Sequence, residues 1–162
     1  MKRITLSKGK FALVDDEDFE YLNGQQWYAA RSGNKYYALR RDKNKALGFQ
    51  TSRMHREIMS PEGRFVVDHI NGNTLDNRKE NLRVCTSSEN KMNRRVCRSA
   101  SGFKCVHWHK TRKRWQAYIR INKKRKCLGF FREKESAAIA YDKAAVKYYG
   151  EFAATNKMLG LL

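Results

Sequence analysis

The chain has 162 residues, with 35 Lys and Arg against 16 Asp and Glu, four Cys and one Pro. With 41% apolar and 12% aromatic residues it can build a buried core, which excludes a disordered chain, and its length allows one domain or two small ones. No apolar run approaches the roughly 18 residues of a membrane span, and the N-terminus lacks the apolar stretch of a secretory signal, so a cytoplasmic protein is expected. A formal net charge of +19 exceeds what solubility requires and points to a polyanionic partner, which for a soluble protein means nucleic acid.

Residues 1–60 read as an α+β segment of mixed strands and short helices. Thr5 to Val14 and Trp27 to Arg41 are rich in strand formers, and the second stretch breaks at Ser32-Gly33-Asn34, which predicts a hairpin. Between them Asp15-Asp16-Glu17-Asp18 opens a short helix, where carboxylates cap free amides and oppose the dipole, and Asn23-Gly24 ends it. Thr51 to Met59 predicts another short helix, stopped by Ser60-Pro61, with His55 as a structural residue of that helix rather than a ligand.

Residues 61–94 read as β, loop, β, α. Arg64 to His69 is a strand, Asn71-Gly72-Asn73 is turn chemistry, and Asn81 to Val84 is a second strand. Thr86-Ser87-Ser88-Glu89 is a capping box, so a helix begins there and carries Asn90 in its first turn. Asn81 follows His69 by 12 residues and Asn90 follows Asp68 by 22. A hairpin with the helix laid against it brings Asp68 and Asn90 together as two hard oxygen ligands, which suits Mg²⁺, or another divalent cation such as Mn²⁺, better than zinc. His69 would lie beside the metal, where a neutral imidazole takes a proton from an attacking water.

Residues 95–101, polar and basic, read as a linker, and residues 102–156 as a second module. Its strands are Lys104 to His109, Arg114 to Ile121 and Arg125 to Phe131, followed by an amphipathic helix from Glu133 to Tyr149. Ala137, Ala138, Tyr141, Ala144, Ala145 and Tyr148 form the apolar face of that helix, and Gly150 closes it. A three-stranded antiparallel sheet packed on one helix follows. Between Glu89 and Glu133 there are fifteen Lys and Arg and no acidic residue, interleaved with aromatic and aliphatic positions, so the charge belongs to a folded basic face. The four cysteines, Cys85, Cys97, Cys105 and Cys127, contain no Cys-x-x-Cys pair and read as thiols in a reducing compartment. Cys105, His107 and His109 alternate along one strand without an evident fourth ligand, which argues against zinc.

The run Asp68-His69-Ile70-Asn71-Gly72-Asn73, Asp76-Asn77-Arg78 and Asn81-Leu82-Arg83, with Asn90 downstream, resembles the HNH nuclease motif in the form used by phage and intron-encoded homing endonucleases. The resemblance implies a ββα-metal unit in which Asp68 and Asn90 bind the metal, His69 is the general base, and Asn81 braces the loop and orients His69. The stretch from Ser101 to Asn156 is similar to the AP2 DNA-binding domain, through Trp115, Ala117, Ile119, Arg120, Leu128-Gly129-Phe130, Ala137-Ala138, Tyr141-Asp142 and Asn156. That likeness implies a sheet set in the major groove of double-stranded DNA, with Lys104, His107, His109, Arg112, Arg114, Arg120 and Lys126 as contacts. Trp115 is expected in the core. Together the two resemblances imply a site-preferring, metal-dependent DNA endonuclease of homing type in a phage-infected or bacterial cell. With one catalytic constellation and no apolar heptad, a monomer without an obligate protein partner is expected. The rival reading, a DNA-binding regulator built on a decayed nuclease fold, is opposed by the joint presence of Asp68, His69 and Asn90.

Overall fold

The computed structural model describes residues 1–44, 48–95 and 99–162. They divide into two compact units, Met1–Asn90 and Lys91–Leu162.

In the first unit, β1 (Lys2–Thr5) and β2 (Phe11–Val14) form an antiparallel hairpin. Leu6 N–H donates to the Lys10 carbonyl across a turn in which Lys8 and Gly9 take positive φ. The strand-forming stretch Thr5 to Val14 is thus broken by a turn, with its first strand starting at Lys2, because Lys8-Gly9 supplies the left-handed backbone that a tight reversal needs. Helix α1 (Asp16–Asn23) begins where expected, but its N-cap residue, Asp15, makes no side-chain hydrogen bond to the helix's own amides. The acidic cluster serves elsewhere. Asp15 accepts the backbone N–H of Lys79 at 2.7 Å, Glu17 and Asp18 pair with the Lys79 ammonium, and Asp16 holds the N-terminal amine.

Strands β3 (Tyr28–Ser32) and β4 (Lys35–Asn44) form the expected hairpin, and β5 (Gly48–Arg53) adds to the far edge of β4. Helix α2 is therefore only Met54–Met59. Thr51, Ser52 and Arg53, expected in the helix, pair with Arg41, Arg40 and Leu39, since an open strand edge offers their backbone a ladder. One core joins these elements. Ile4, Leu6, Val14, Leu22, Trp27, Ala29, Ala38 and Met54 are buried, with Leu75 packed against them, and the Trp27 indole donates to the Leu22 carbonyl.

Strands β6 (Val66–His69) and β7 (Leu82–Cys85) are antiparallel, and α3 (Ser87–Met92) follows. Thr86 and Glu89 make the reciprocal capping box: Glu89 N–H donates to the Thr86 hydroxyl, and the Glu89 carboxylate accepts Thr86 N–H at 2.8 Å. The long β6–β7 loop is stitched to β2, with Leu13 N–H donating to the Leu75 carbonyl and Asn77 N–H donating to the Leu13 carbonyl, both at 2.8 Å.

In the second unit the sheet order is β10–β9–β8, from β8 (Val106–His109), β9 (Arg114–Ile121) and β10 (Lys124–Phe131), with α4 (Lys134–Tyr149) against one face. Ala137, Ala138, Tyr141, Ala144 and Ala145 are buried, and small side chains let the helix lie close to Val106, Ala117 and Ile119. Tyr148, expected on this face, is exposed. Its neighbour Tyr149 turns to the sheet instead and donates its hydroxyl to the Arg120 carbonyl at 2.6 Å. Trp115 packs against the core as expected. Buried Asn156 accepts Lys104 N–H at 2.6 Å and gives its own N–H and amide to Asp142, tying the chain end to the start of the sheet and to α4. Of the expected linker, residues 96–98, Cys97 among them, lie outside the described residues. Ser101 belongs to the module, since it is buried and donates to the Val106 carbonyl at 2.8 Å.

Candidate functional site

The β6–β7 hairpin sets two functional faces. Asp68 pairs with Arg83 and His69 with Leu82 across the ladder, and successive side chains of a strand point to opposite sides. Asp68 and His69, expected side by side at a metal, therefore leave the backbone in opposite directions.

On one face the Asp68 carboxylate accepts two bonds at Oδ2 from the Arg83 guanidinium, at 2.8 and 3.1 Å. Both side chains are about nine-tenths buried, at 10% and 9% exposed. Removing either partner of so buried a pair costs about 3–5 kcal/mol, because the other charge is left uncompensated. Cys85 shares this face. Burial raises its thiol, the Asp68 carboxylate raises it further, and the Arg83 charge and the Asn90 backbone N–H work against the rise. Cys85 thus lies beside the Asn90 backbone and in the field of the Asp68 carboxylate.

On the other face His69 is buried, and its Nε2 lies 3.0 Å from Asn77 Oδ1. The Asn77 amide nitrogen donates to Met54 Sδ at 3.3 Å, so its oxygen is the acceptor, Nε2 carries the proton and Nδ1 is the basic nitrogen. The His55 ring stands edge-on to His69 at 5.0 Å between centroids, with Tyr37 beside both. Burial pulls the His69 pKa below its ordinary value, partly offset by Asn77 and Asp68, so the ring is neutral at cellular pH. His55 is held down to about 3, by burial first and then by His69, Arg53 and Arg56. His55 is a structural helix residue, as expected, but one that forms a wall of the His69 pocket; Met54-His55 preceding Arg56 carries no local signal of this.

Asn81 is buried and spans the loop. Its Oδ1 accepts Asn71 N–H at 2.9 Å and its amide donates to the Asp76 carbonyl at 2.7 Å. Asp76 in turn takes the Arg78 guanidinium at 2.8 Å and the Asn71 amide, which hold its carboxyl below the usual range.

The donor set suits a hard divalent cation. Among the described residues no three His, Cys, Asp or Glu side chains gather into a chelating group. One carboxylate and one amide, the donor types of Asp68 and Asn90, are hard oxygen ligands of the kind that a divalent cation takes together with water and phosphate oxygens.

In the second unit, strand alternation sorts the basic candidates. His107, His109, Arg114 and Arg120 lie on the face away from α4, and Arg112 joins them, its guanidinium 4.4 Å from the Phe130 ring centroid. Arg125, not singled out from the sequence, sits opposite Arg120 with its guanidinium 3.5 Å over Tyr118 and 3.2 Å from His107 Nδ1. Two candidates differ. Lys104 is turned inward, donating to the Met92 and Ala154 carbonyls at 3.2 and 3.0 Å, because its long stem crosses the module beside Tyr141. Lys126 pairs with Ile119 on the helix side and donates to the Tyr148 hydroxyl at 3.1 Å.

Comparison with known proteins agrees with the geometry of the hairpin. A family model described as HNH endonuclease matches residues 60–92. Over 157 residues the chain is 29% identical to a protein of Acanthamoeba polyphaga mimivirus named as an uncharacterized HNH endonuclease, covering 93% of this chain and 77% of that protein. It is 37% identical over 60 residues to Protein 3.8 of Escherichia phage T7, covering 36% of this chain and 49% of that protein. HNH nucleases are generally dependent on divalent metals, and among the described residues no helix is long and apolar enough to cross a membrane. Residues 60–92 thus match an HNH endonuclease domain, and with the mimivirus relative this supports DNA endonuclease as the enzyme class.

Proposed function

We propose that the protein is a metal-dependent, site-preferring DNA endonuclease of homing type that acts as a monomer and nicks one strand at a time, with its AP2-like second unit gripping flanking duplex. The observation that carries this reading is the state of His69: a buried, neutral imidazole whose Nε2–H is taken by Asn77, leaving Nδ1 as the base. His69 accepts the proton of the attacking water. Asn77 fixes its tautomer, and Asn81 holds the loop that carries Asn77. Asp68 and Asn90 would hold the divalent cation, which when bound polarises the scissile phosphate and stabilises the leaving oxygen. Arg83 holds and aims the Asp68 carboxylate through two hydrogen bonds. The β-sheet face bearing His107, His109, Arg112, Arg114, Arg120 and Arg125 supplies phosphate and base contacts.

The test is incubation of the full chain with supercoiled DNA, with Mg²⁺ or with EDTA. Open circle should appear before linear product, and only with metal. His69→Ala should lower the rate by about 10²–10⁴-fold, the usual contribution of a general base, and leave DNA affinity nearly unchanged. Cleavage of the variant at the wild-type rate would remove His69 as the base.

A further inference from the structure

The cations of the first unit fall into two groups. Lys2, Arg40, Arg78, Lys79 and Arg83 each pair with a carboxylate. Among the described residues Lys8, Lys10 and Lys35 have no carboxylate partner, and neither have Arg3, Arg31, Arg41, Arg53, Arg56 and Arg64, of which Arg3, Arg41 and Arg53 lie over aromatic rings and Arg31 and Arg56 donate to carbonyls. The three lysines lie around Tyr36 and the motif loop, Lys35 leaving its strand on the side opposite the Tyr36 ring. Lys8 and Lys10 flank the β1–β2 turn, and their ammonium groups lie 5.9 and 4.3 Å from the centroid of the Tyr36 ring. Lys35 starts the next strand and donates to the Gly72 carbonyl at 3.1 Å.

Gly72 belongs to the motif loop, and its N–H donates to the His69 carbonyl at 2.9 Å, so the Lys35 ammonium sits on the turn that leaves His69. Its charge is felt at the His69 ring, which it helps keep neutral. The Tyr36 carbonyl accepts the Thr74 hydroxyl at 2.5 Å and fastens β4 to the same loop. A shallow hollow lined by Gly9, Lys10, Phe11, Leu13, Asn73 and Leu75 separates the turn from the loop. Lys8 and Lys35 are exposed, and an ammonium without a counter-ion is open to an anion.

We propose that Lys8, Lys10 and Lys35 form a phosphate-contacting rim on the nuclease unit, which seats the backbone of the DNA strand presented to His69. Residues 1–60 then bind substrate as well as supporting the fold. The identity of the seated strand rests on the nuclease reading of His69, whereas phosphate binding by the rim does not.

The experiment separates the two. Affinity for duplex DNA is measured against salt in metal-free buffer, using the full-length His69→Ala chain with and without Lys8→Gln, Lys10→Gln and Lys35→Gln together. Each lost phosphate contact should make the log-log slope shallower by about 0.9, so a change of about 2–3 is expected. In the otherwise wild-type chain Lys8→Gln and Lys10→Gln together should raise KM for cleavage with kcat little changed. Replacing the three lysines by Arg keeps the charges and should restore the slope, which a merely structural role for the lysine stems would not do. An unchanged slope, or one that Arg does not restore, overturns the rim. A slope change in a protein that cuts no DNA would sustain the rim and defeat only the nuclease reading.

Discussion

Acid should unfasten the His69 pocket through His55. The ring is 4% exposed, and its pKa is held at about 3 against an ordinary value of 6.5 in the unfolded chain. A folded-state value below the unfolded one means that the unfolded chain takes up the proton first. The contribution of His55 is therefore fully present above about pH 6.5 and is lost as pH falls from there toward 3. Between about pH 7.5 and about pH 5, roughly 1.5 units of this window are crossed at about 1.4 kcal/mol each, a loss of about 2 kcal/mol. His69 is displaced in the same direction and adds to the loss. Hydrogen exchange of the β6 and β7 amides, corrected for the intrinsic pH dependence of exchange, reads this as a drop of about 30-fold in protection. His55→Phe keeps a ring of similar volume and removes the titration, so most of the dependence should vanish. Protection that is flat between the two pH values in the native protein, or equally steep in His55→Phe, would refute the reasoning.

Two further outcomes follow from single side chains. Asn77→Asp puts a carboxylate against His69 Nε2 at the present 3.0 Å contact, so the His69 pKa should rise and the acid limb of the cleavage pH profile should move to higher pH; a profile that stays in place argues against the assigned tautomer. Gly129, at the β10 bulge with φ +140°, leaves a Cβ only 3.1 Å from the Phe131 ring, so Gly129→Ala should cost about 1–3 kcal/mol and lower the melting temperature of the second unit, as a thermal scan would show.

The parts of the site that could be read in the sequence are those written in local chemistry. Asn71-Gly72-Asn73 announces a turn and Thr86 with Glu89 a helix start, and both occur where expected. What could not be read depends on partners distant in the chain. The carboxylates before α1 look like caps because caps are the local use of such residues, yet Asp15 is taken by Lys79, 64 positions away. His55 has nothing beside it in sequence to mark it as the neighbour of His69. Lys104 counts as positive charge in any composition argument, but a four-carbon stem lets its ammonium be consumed inside the module. Arg125 was hidden within Lys123-Lys124-Arg125-Lys126, where only the strand register tells the free face from the helix side.

The stitching of the β6–β7 loop to β2 bears on where this enzyme can be cut into parts. A peptide spanning residues 60–92 would keep Asp68, His69, Asn81 and Asn90, and so would still be recognised by its motif. It would lack Leu13, which pairs with both Leu75 and Asn77; Asp15, which anchors Lys79; and Met54 and His55, which close around Asn77 and His69. Its two strands of four residues each would have no sheet and no core to rest on. The smallest transplantable nuclease is the whole of residues 1–90, nearly three times the stretch that the HNH endonuclease family model matches.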